Sequence, residues 1–122
     1  MLNVLAVGAG GFLGAVCRYL IGLIPLQESF VFPIKTLAIN VAGCLVIGWI
    51  AAVGSRHAAF GPHLLLFLKV GLCGGFTTFS TFALETADLM KAGHPVAAIL
   101  YVLLSVLAGV AAVFMMESLS AS

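Results

Sequence analysis

The chain carries, in the middle of a long apolar run, the stretch Gly71-Leu-Cys-Gly-Gly-Phe-Thr-Thr-Phe-Ser-Thr-Phe82. Its adjacent glycines, Gly74 and Gly75, favour a break in a helix, and threonine and serine hydroxyls lie directly beside them. Non-helical backbone is tolerated at membrane depth only when it is buried in protein or lines a water-filled cavity. The stretch therefore predicts a broken membrane helix that lines a site, with a purely structural kink as the alternative.

Composition places the rest of the chain in lipid. Of the 122 residues, 63% are hydrophobic and 7% are charged, against roughly 45–50% and about 25% in ordinary soluble domains. So few charged residues cannot cover a water-facing surface of this size. The formal net charge of +1 excludes the basic surface of a nucleic-acid-binding protein. The composition indicates an integral membrane protein without a nucleic-acid partner.

Four apolar runs separate the few charged residues, and each is close to the ~20 residues that a membrane-spanning helix needs. Prolines and glycines between the runs predict where each helix begins and ends. We expect no signal peptide, because no positive segment precedes the first run. The prediction is one all-α membrane domain, 1–122, with both termini on one side of the membrane and helices over 3–24, 34–54, 62–90 and 95–117.

The basic residues are almost evenly divided between the two sides of this topology. Arg56 and Lys69 lie on the side of the termini, whereas Lys35, Lys91 and Arg18 lie on the other side. Two against three is a weak bias under the positive-inside rule. Two interpretations remain open: one residue decides a single orientation, or the chain inserts both ways and forms an antiparallel dimer.

Catalytic chemistry has little support in this sequence. The cysteines at 17, 44 and 73 lie inside predicted helices at spacings that match no metal motif. The three histidines fall near loops, and no nucleophile–base pair or carboxylate pair can be assembled. The chain is therefore predicted not to be an enzyme.

Glycine pairs and a few deep polar residues are the remaining signals. Gly10-x-x-x-Gly14 predicts close packing of the first helix, and Gly71-x-x-x-Gly75 repeats the spacing in the third, where packing alone does not account for the stretch 71–82. Asn40, inside the second run, is either a bond between helices or an anion ligand.

Aromatic and hydroxyl side chains recur at helical spacing in the last two runs. Phe76, Phe79 and Phe82 are predicted to share one face of the continuing third helix, and Tyr101 and Ser105 share a face of the fourth. The phenylalanines are ordinary packing residues or, because a phenyl ring has a positive edge, anion contacts.

Taken together, these residues closely resemble the Fluc (CrcB) family of small fluoride channels over essentially the whole chain. The resemblance runs through Gly10-Gly-Phe-Leu-Gly-Ala-Val-Cys-Arg-Tyr19 and Thr36-Leu-Ala-Ile-Asn-Val-Ala-Gly43. It is strongest in the stretch 71–82, which Glu85 follows. The glycine-rich first block alone would be weak support, whereas the third block is highly specific.

The resemblance implies an antiparallel, dual-topology homodimer in the plasma (bacterial inner) membrane, with two narrow pores that passively export toxic cytoplasmic fluoride. It implies a structural Na⁺ at the dimer interface, held by the backbone carbonyls of Gly74 and Thr77. It places Arg18 near the pore vestibule. It assigns the fluoride pathway to Asn40, Phe79, Ser80, Thr81, Phe82, Glu85, Tyr101 and Ser105. Gly109 and Ala83 stand where relatives can carry serine, so the polar track is less complete here.

Two other functions stay open from sequence. Small multidrug-resistance exporters are also short four-helix proteins, but they depend on a carboxylate in the first helix. The first acidic residue here is Glu28, which follows the first predicted helix and Pro25. The third possibility is a membrane assembly subunit that transports nothing and in which the break is only a packing kink.

Overall fold

The computed structural model describes residues 1–26 and 31–120. Over these residues it holds four helices long and apolar enough to cross a membrane. Three are continuous: α1 (Leu2–Gly22), α2 (Ile34–Gly54) and α6 (Pro95–Ser120), which is the longest of the three. Glu28 lies outside the described residues. The prediction of an all-helical protein with four membrane spans is confirmed.

The third span, Pro62–Lys91, is broken as predicted but not at the predicted residues. It consists of α3 (Pro62–Leu65), a π-helical segment (Leu66–Cys73), α4 (Gly74–Phe76) and α5 (Phe79–Lys91). The break lies at Thr77 and Thr78, which are extended, with ψ of 157° and 114°. Gly74 is helical, with φ −64° and ψ −36°. The expected break at the two glycines is therefore wrong by about one helical turn.

Physical chemistry explains why the threonines break the helix and the glycines do not. Threonine is β-branched and has a low helix propensity, and a threonine hydroxyl can cap the helix that follows. Gly75 serves another purpose, because a Cβ built there would lie 2.5 Å from the Gly11 carbonyl oxygen. The break also separates Phe76 from Phe79 and Phe82, so the three phenylalanines do not share one continuous helix face as the sequence suggested.

α1 packs closely against the first half of the third span through the two glycine pairs. A Cβ on Gly10 would meet the Phe67 carbonyl oxygen, and one on Gly14 would meet the Leu72 carbonyl oxygen. Residue numbers rise together along this contact, so the two helices run parallel. The backbone-to-backbone approach explains why both helices carry small residues at a spacing of four.

The remaining helices close the bundle on its other side. α2 packs along α6, with Gly48 of α2 against Val113 of α6. Tyr101 is fully buried and forms a small core with Leu89 and Ala98. The turn between α5 and α6 passes through Gly93 at φ +84°, a conformation that favours glycine. This core fixes the second half of the third span beside α6.

The close approach of α1 yields a stability prediction. Gly10→Ala is expected to destabilise the protein by about 1–3 kcal/mol, the usual cost of overpacking, because the methyl would meet the Phe67 carbonyl oxygen. Gly8→Ala is the matched control on the same helix, since no described atom outside its own stretch of helix backbone lies within 4 Å of its built Cβ. Thermal unfolding in detergent measures the difference. Equal Tm values for the two variants would contradict the packing.

Candidate functional site

A groove of about 370 Å³ opens beside the break. Its walls come from α2, from both halves of the third span and from α6. Its lining is Asn40, Gly43, Cys44, Ile47, Lys69, Cys73, Gly74, Thr77, Thr78, Phe79, Phe82, Ser105 and Val106. The groove therefore follows the broken backbone along its whole length.

Asn40 holds the break through a pair of hydrogen bonds to one residue. The Thr78 backbone N–H donates to Asn40 Oδ1 at 2.8 Å, and Asn40 Nδ2 donates to the Thr78 carbonyl oxygen at 3.1 Å. Both bonds together fix the orientation of the amide. The side chain thus replaces the backbone partners that Thr78 lost when the helix ended. Of the two sequence interpretations of Asn40, the structure shows the bond between helices, and one amide hydrogen stays available.

Thr78 lies at the centre of this site, although the sequence pattern did not predict a role for it there. Its hydroxyl accepts from the Thr81 N–H at 3.2 Å, which caps α5, and donates to Thr81 Oγ1 at 3.0 Å. Ser80 Oγ lies 3.4 Å from the same hydroxyl and is exposed. The signal in the sequence was a threonine three residues before another hydroxyl residue, at a place where a helix begins.

Four aromatic rings form a row from the groove into the core. Phe79 is 78% exposed and lines the groove, and its ring centroid lies 5.6 Å from that of Phe82. Phe82 in turn lies 5.1 Å from Tyr101, and Phe32 meets Tyr101 edge-on at 5.4 Å. Edge-on and tilted arrangements are those that aromatic pairs prefer. The buried Tyr101 therefore fixes Phe82, while Phe79 stays open to the groove.

The polar residues of α5 and α6 do not all reach the groove. Ser105 lines it with a buried hydroxyl that has no hydrogen-bond partner among the described residues. Tyr101 instead donates a long bond of 3.4 Å to Glu85 Oε1, away from the groove. Glu85 lines a second depression of about 310 Å³ with Asp88 and His94, near the end of α5. The polar track expected from the resemblance is thus divided between two openings.

The break also frees backbone carbonyls. The Gly75 carbonyl oxygen accepts from Arg18 Nε at 3.2 Å, so Arg18 is bonded to the break itself. The Thr77 N–H and hydroxyl both donate to the Cys73 carbonyl oxygen, at 3.0 and 2.8 Å. Within residues 1–26 and 31–120, the carbonyl oxygens of Gly74 and Thr77 accept no hydrogen bond. Both residues line the groove.

The structure thus brings six of the sequence-predicted residues to the groove: Asn40, Gly74, Thr77, Phe79, Phe82 and Ser105. Ser80 and Thr81 adjoin it through the Thr78 hydroxyl, Glu85 and Tyr101 bond to each other away from it, and Arg18 bonds to the Gly75 carbonyl beside the break. Lys69 and the cysteines at 44 and 73 line the groove but were not predicted there. Lys69 and Cys73 belong to the π-helical segment, which no local sequence pattern predicted, whereas Cys44 lies on α2.

The amide of Asn40 yields a prediction about the break. Asn40→Ala leaves the Thr78 N–H and carbonyl without partners, at about 1–3 kcal/mol for each unsatisfied group. We expect a lower Tm and faster hydrogen exchange at the Thr78 amide. Asn40→Asp should retain part of the protection, because a carboxylate still accepts from the N–H but cannot donate to the carbonyl.

The other asparagine supplies the control for this experiment. Asn3 is exposed in the first turn of α1, so Asn3→Ala should leave both measurements unchanged. Unaltered exchange at Thr78 in Asn40→Ala would show that the paired hydrogen bonds do not hold the break.

Comparison with known proteins shows which family this chain belongs to. The family model described as "CrcB-like protein, Camphor Resistance (CrcB)" matches residues 5–116. A protein of Chlorobaculum tepidum named fluoride-specific ion channel FluC is 45% identical over 114 residues, 93% of this chain and 90% of that protein. A protein of the same name from Paracoccus denitrificans is 44% identical, over 89% of this chain and 86% of that protein. Another from Rhizobium meliloti is 41% identical, over 93% of this chain and 92% of that protein.

These matches extend across all four spans and through the break that the groove follows. The chain is therefore an integral, multi-pass membrane protein that belongs to the CrcB family.

Proposed function

We propose that this chain is a fluoride-selective channel that passively exports cytoplasmic fluoride, and that it works as an antiparallel, dual-topology homodimer with two pores. The observation that carries the proposal is the likeness, over 93% of the chain, to a protein named as a fluoride-specific ion channel. Like the channels it resembles, it is an ion conductor and not an enzyme.

The chemistry of the groove supports an anion as the conducted species. Fluoride is small and strongly hydrated, so a pore has to replace its water with close hydrogen-bond donors. The groove offers the free hydroxyl of Ser105 and the second amide hydrogen of Asn40, both uncharged. A neutral donor gives up a bound anion more readily than a fixed cation does, and conduction requires that binding be weak enough to let the ion leave.

The phenyl rings supply a second kind of contact. Phe79 and Phe82 lie at neighbouring turns of α5 with centroids 5.6 Å apart, and both line the groove. Their edges carry partial positive charge. Rings presented edge-on to the groove would contact an anion without binding it as tightly as a cationic side chain. We assign Phe79 and Phe82 to the fluoride path on this ground.

The groove is open on one side in the single chain, and this favours a second copy of the chain as the wall that closes it. Phe79 is 78% exposed in the single chain, although aromatic rings of this size are usually well packed. The near-even division of basic residues suits insertion in both orientations. A two-fold axis in the membrane plane would then repeat each contact and make two equivalent pores.

The carbonyl oxygens of Gly74 and Thr77 fit the structural Na⁺ that the family resemblance implies. Unwound backbone carbonyls are the ligands that Na⁺ takes in other membrane proteins with broken helices. One chain supplies two such oxygens, and a dimer supplies four. In that position the ion would add a fixed positive charge close to the path of the anion.

The two other functions have less support. α1, Leu2–Gly22, contains no carboxylate, which a proton-coupled multidrug exporter requires there. A subunit that transports nothing would not need a groove with an unpartnered buried hydroxyl, because such a group carries an energetic cost.

Ion flux from reconstituted liposomes tests the proposal. The purified protein should release fluoride rapidly and chloride very slowly, without a proton gradient. A folded dimer that released no fluoride would contradict the proposal. Proton-driven uptake of cationic drugs without fluoride movement would favour the exporter instead.

A pair of substitutions tests the path. Phe79→Ile and Phe82→Ile are each expected to lower fluoride flux about threefold to tenfold, since aromatic contacts contribute about 0.5–1.5 kcal/mol. Phe114→Ile is the matched control, because Phe114 is 66% exposed on α6 and does not line the groove. Size-exclusion chromatography checks that each variant keeps its dimer. Unchanged flux in both groove variants would remove the phenyl rings from the path.

A further inference from the structure

Lys69 is the one charged side chain among the described residues that line the groove. It belongs to the π-helical segment, Leu66–Cys73, inside the third membrane span. Lys69 is exposed, and within the described residues its ammonium has no hydrogen-bond or ion-pair partner. An unpaired charge within a membrane span is costly and is usually retained for a function.

The position of Lys69 along the groove is set by the directions of the helices. On α2 the lining runs from Asn40 to Ile47, and on the third span it runs from Phe82 back to Lys69. Consecutive spans are antiparallel, so Asn40 and the phenyl rings lie at one end and Lys69 lies at the other. Lys69 is eight residues before Thr77, at most about 12 Å along the helix axis. The ammonium therefore lies between the break and the membrane face that holds the termini.

A cation at this place acts on an approaching anion before the neutral donors do. The low-dielectric walls of a cleft concentrate the field of a charge, and such a field raises the local concentration of the opposite ion. The flexible stem of lysine lets the ammonium follow an ion over a few ångströms without binding it rigidly. Arg18 cannot take this role in the same way, because its Nε is bonded to the Gly75 carbonyl.

We propose that Lys69 is the electrostatic entry residue of the groove, which concentrates small anions at the mouth on the side of the termini and passes them to the neutral donors. The proposal rests on the proposed fluoride conduction and adds a residue to it. Lys69 would then determine the flux at low fluoride, when the rate at which ions reach the groove limits conduction. It would have little effect at high fluoride, when the path is saturated.

Lys69→Gln tests this by removing the charge at similar length. Fluoride efflux from liposomes should fall about threefold to tenfold at low fluoride, at or below the lower end of the roughly 10- to 1,000-fold range for electrostatic steering because a single charge is removed, and approach the wild-type flux at high fluoride. Lys69→Arg, which keeps the charge, should remain close to wild type throughout. Lys91→Gln is the control, because Lys91 is exposed at the end of α5 and does not line the groove.

Ionic strength gives a second readout that a merely structural lysine would not affect. Impermeant salt screens charge, so it should lower wild-type flux at low fluoride and have much less effect on Lys69→Gln. If Lys69→Gln does not fold, the salt dependence of the wild-type protein and the flux of Lys69→Arg decide the matter. Wild-type flux that does not respond to salt would overturn the proposal.

The remaining outcomes are also decisive. Equal flux of wild type and Lys69→Gln at all fluoride concentrations would overturn the role of Lys69 and leave fluoride conduction intact. A uniform loss in both Lys69→Gln and Lys69→Arg would indicate a packing role and overturn it as well. Absence of fluoride flux from the wild-type protein would instead remove the proposed function itself.

Discussion

The paired hydrogen bonds between Asn40 and Thr78 are the interaction on which the rest of the site depends. Lipid offers no hydrogen bonds, so a helix broken inside a membrane has to find partners for the groups that the break frees. The Asn40 amide supplies a donor and an acceptor to one residue, at 3.1 and 2.8 Å. Without that amide, an extended Thr78 would carry two unsatisfied backbone groups at membrane depth.

Once the break is held, the surrounding structure follows from local chemistry. The Thr78 hydroxyl caps α5, which orients Phe79 and Phe82 towards the groove. Arg18 covers the Gly75 carbonyl, while the carbonyls of Gly74 and Thr77 keep free acceptor capacity. The close contact of α1 holds the other half of the span in place. The break is therefore braced by α1 on one side of the third span and by α2 on the other.

Much of this arrangement was predictable, for reasons that lie in local sequence. Hydropathy and proline positions predict the four spans, because a membrane helix has to be apolar along its whole length. The glycine pair of the first run predicts that α1 packs closely, whereas the third span as its partner is known only from the fold. The residue at which the helix breaks was not predictable from glycine content, because Gly75 serves packing against α1 and the β-branched Thr77 and Thr78 leave the helix. That distinction depends on which neighbour each residue meets.

Neither the π-helical segment nor the division of the polar residues between two openings could be predicted from local sequence, for a similar reason. One extra residue per turn changes which side chains face the groove, and this puts Lys69 and Cys73 on its wall. Glu85 and Tyr101, which match the same polar track by resemblance, bond to each other away from the groove. Their separation follows from the packing of Tyr101 with Leu89 and Ala98, which is a tertiary contact between α5 and α6.

The scarcity of charge connects the stability of this site with its proposed chemistry. A charged group could satisfy the broken backbone, but only at a high desolvation cost in lipid, so the neutral amide of Asn40 does it for Thr78. That amide keeps a second hydrogen to donate, and the unpartnered Ser105 hydroxyl adds another neutral donor to the groove. Neutral donors that stabilise an open backbone are also the groups that a small anion would need in place of water. The broken helix and the anion path can therefore share one set of residues, while the single groove cation, Lys69, acts at the entrance.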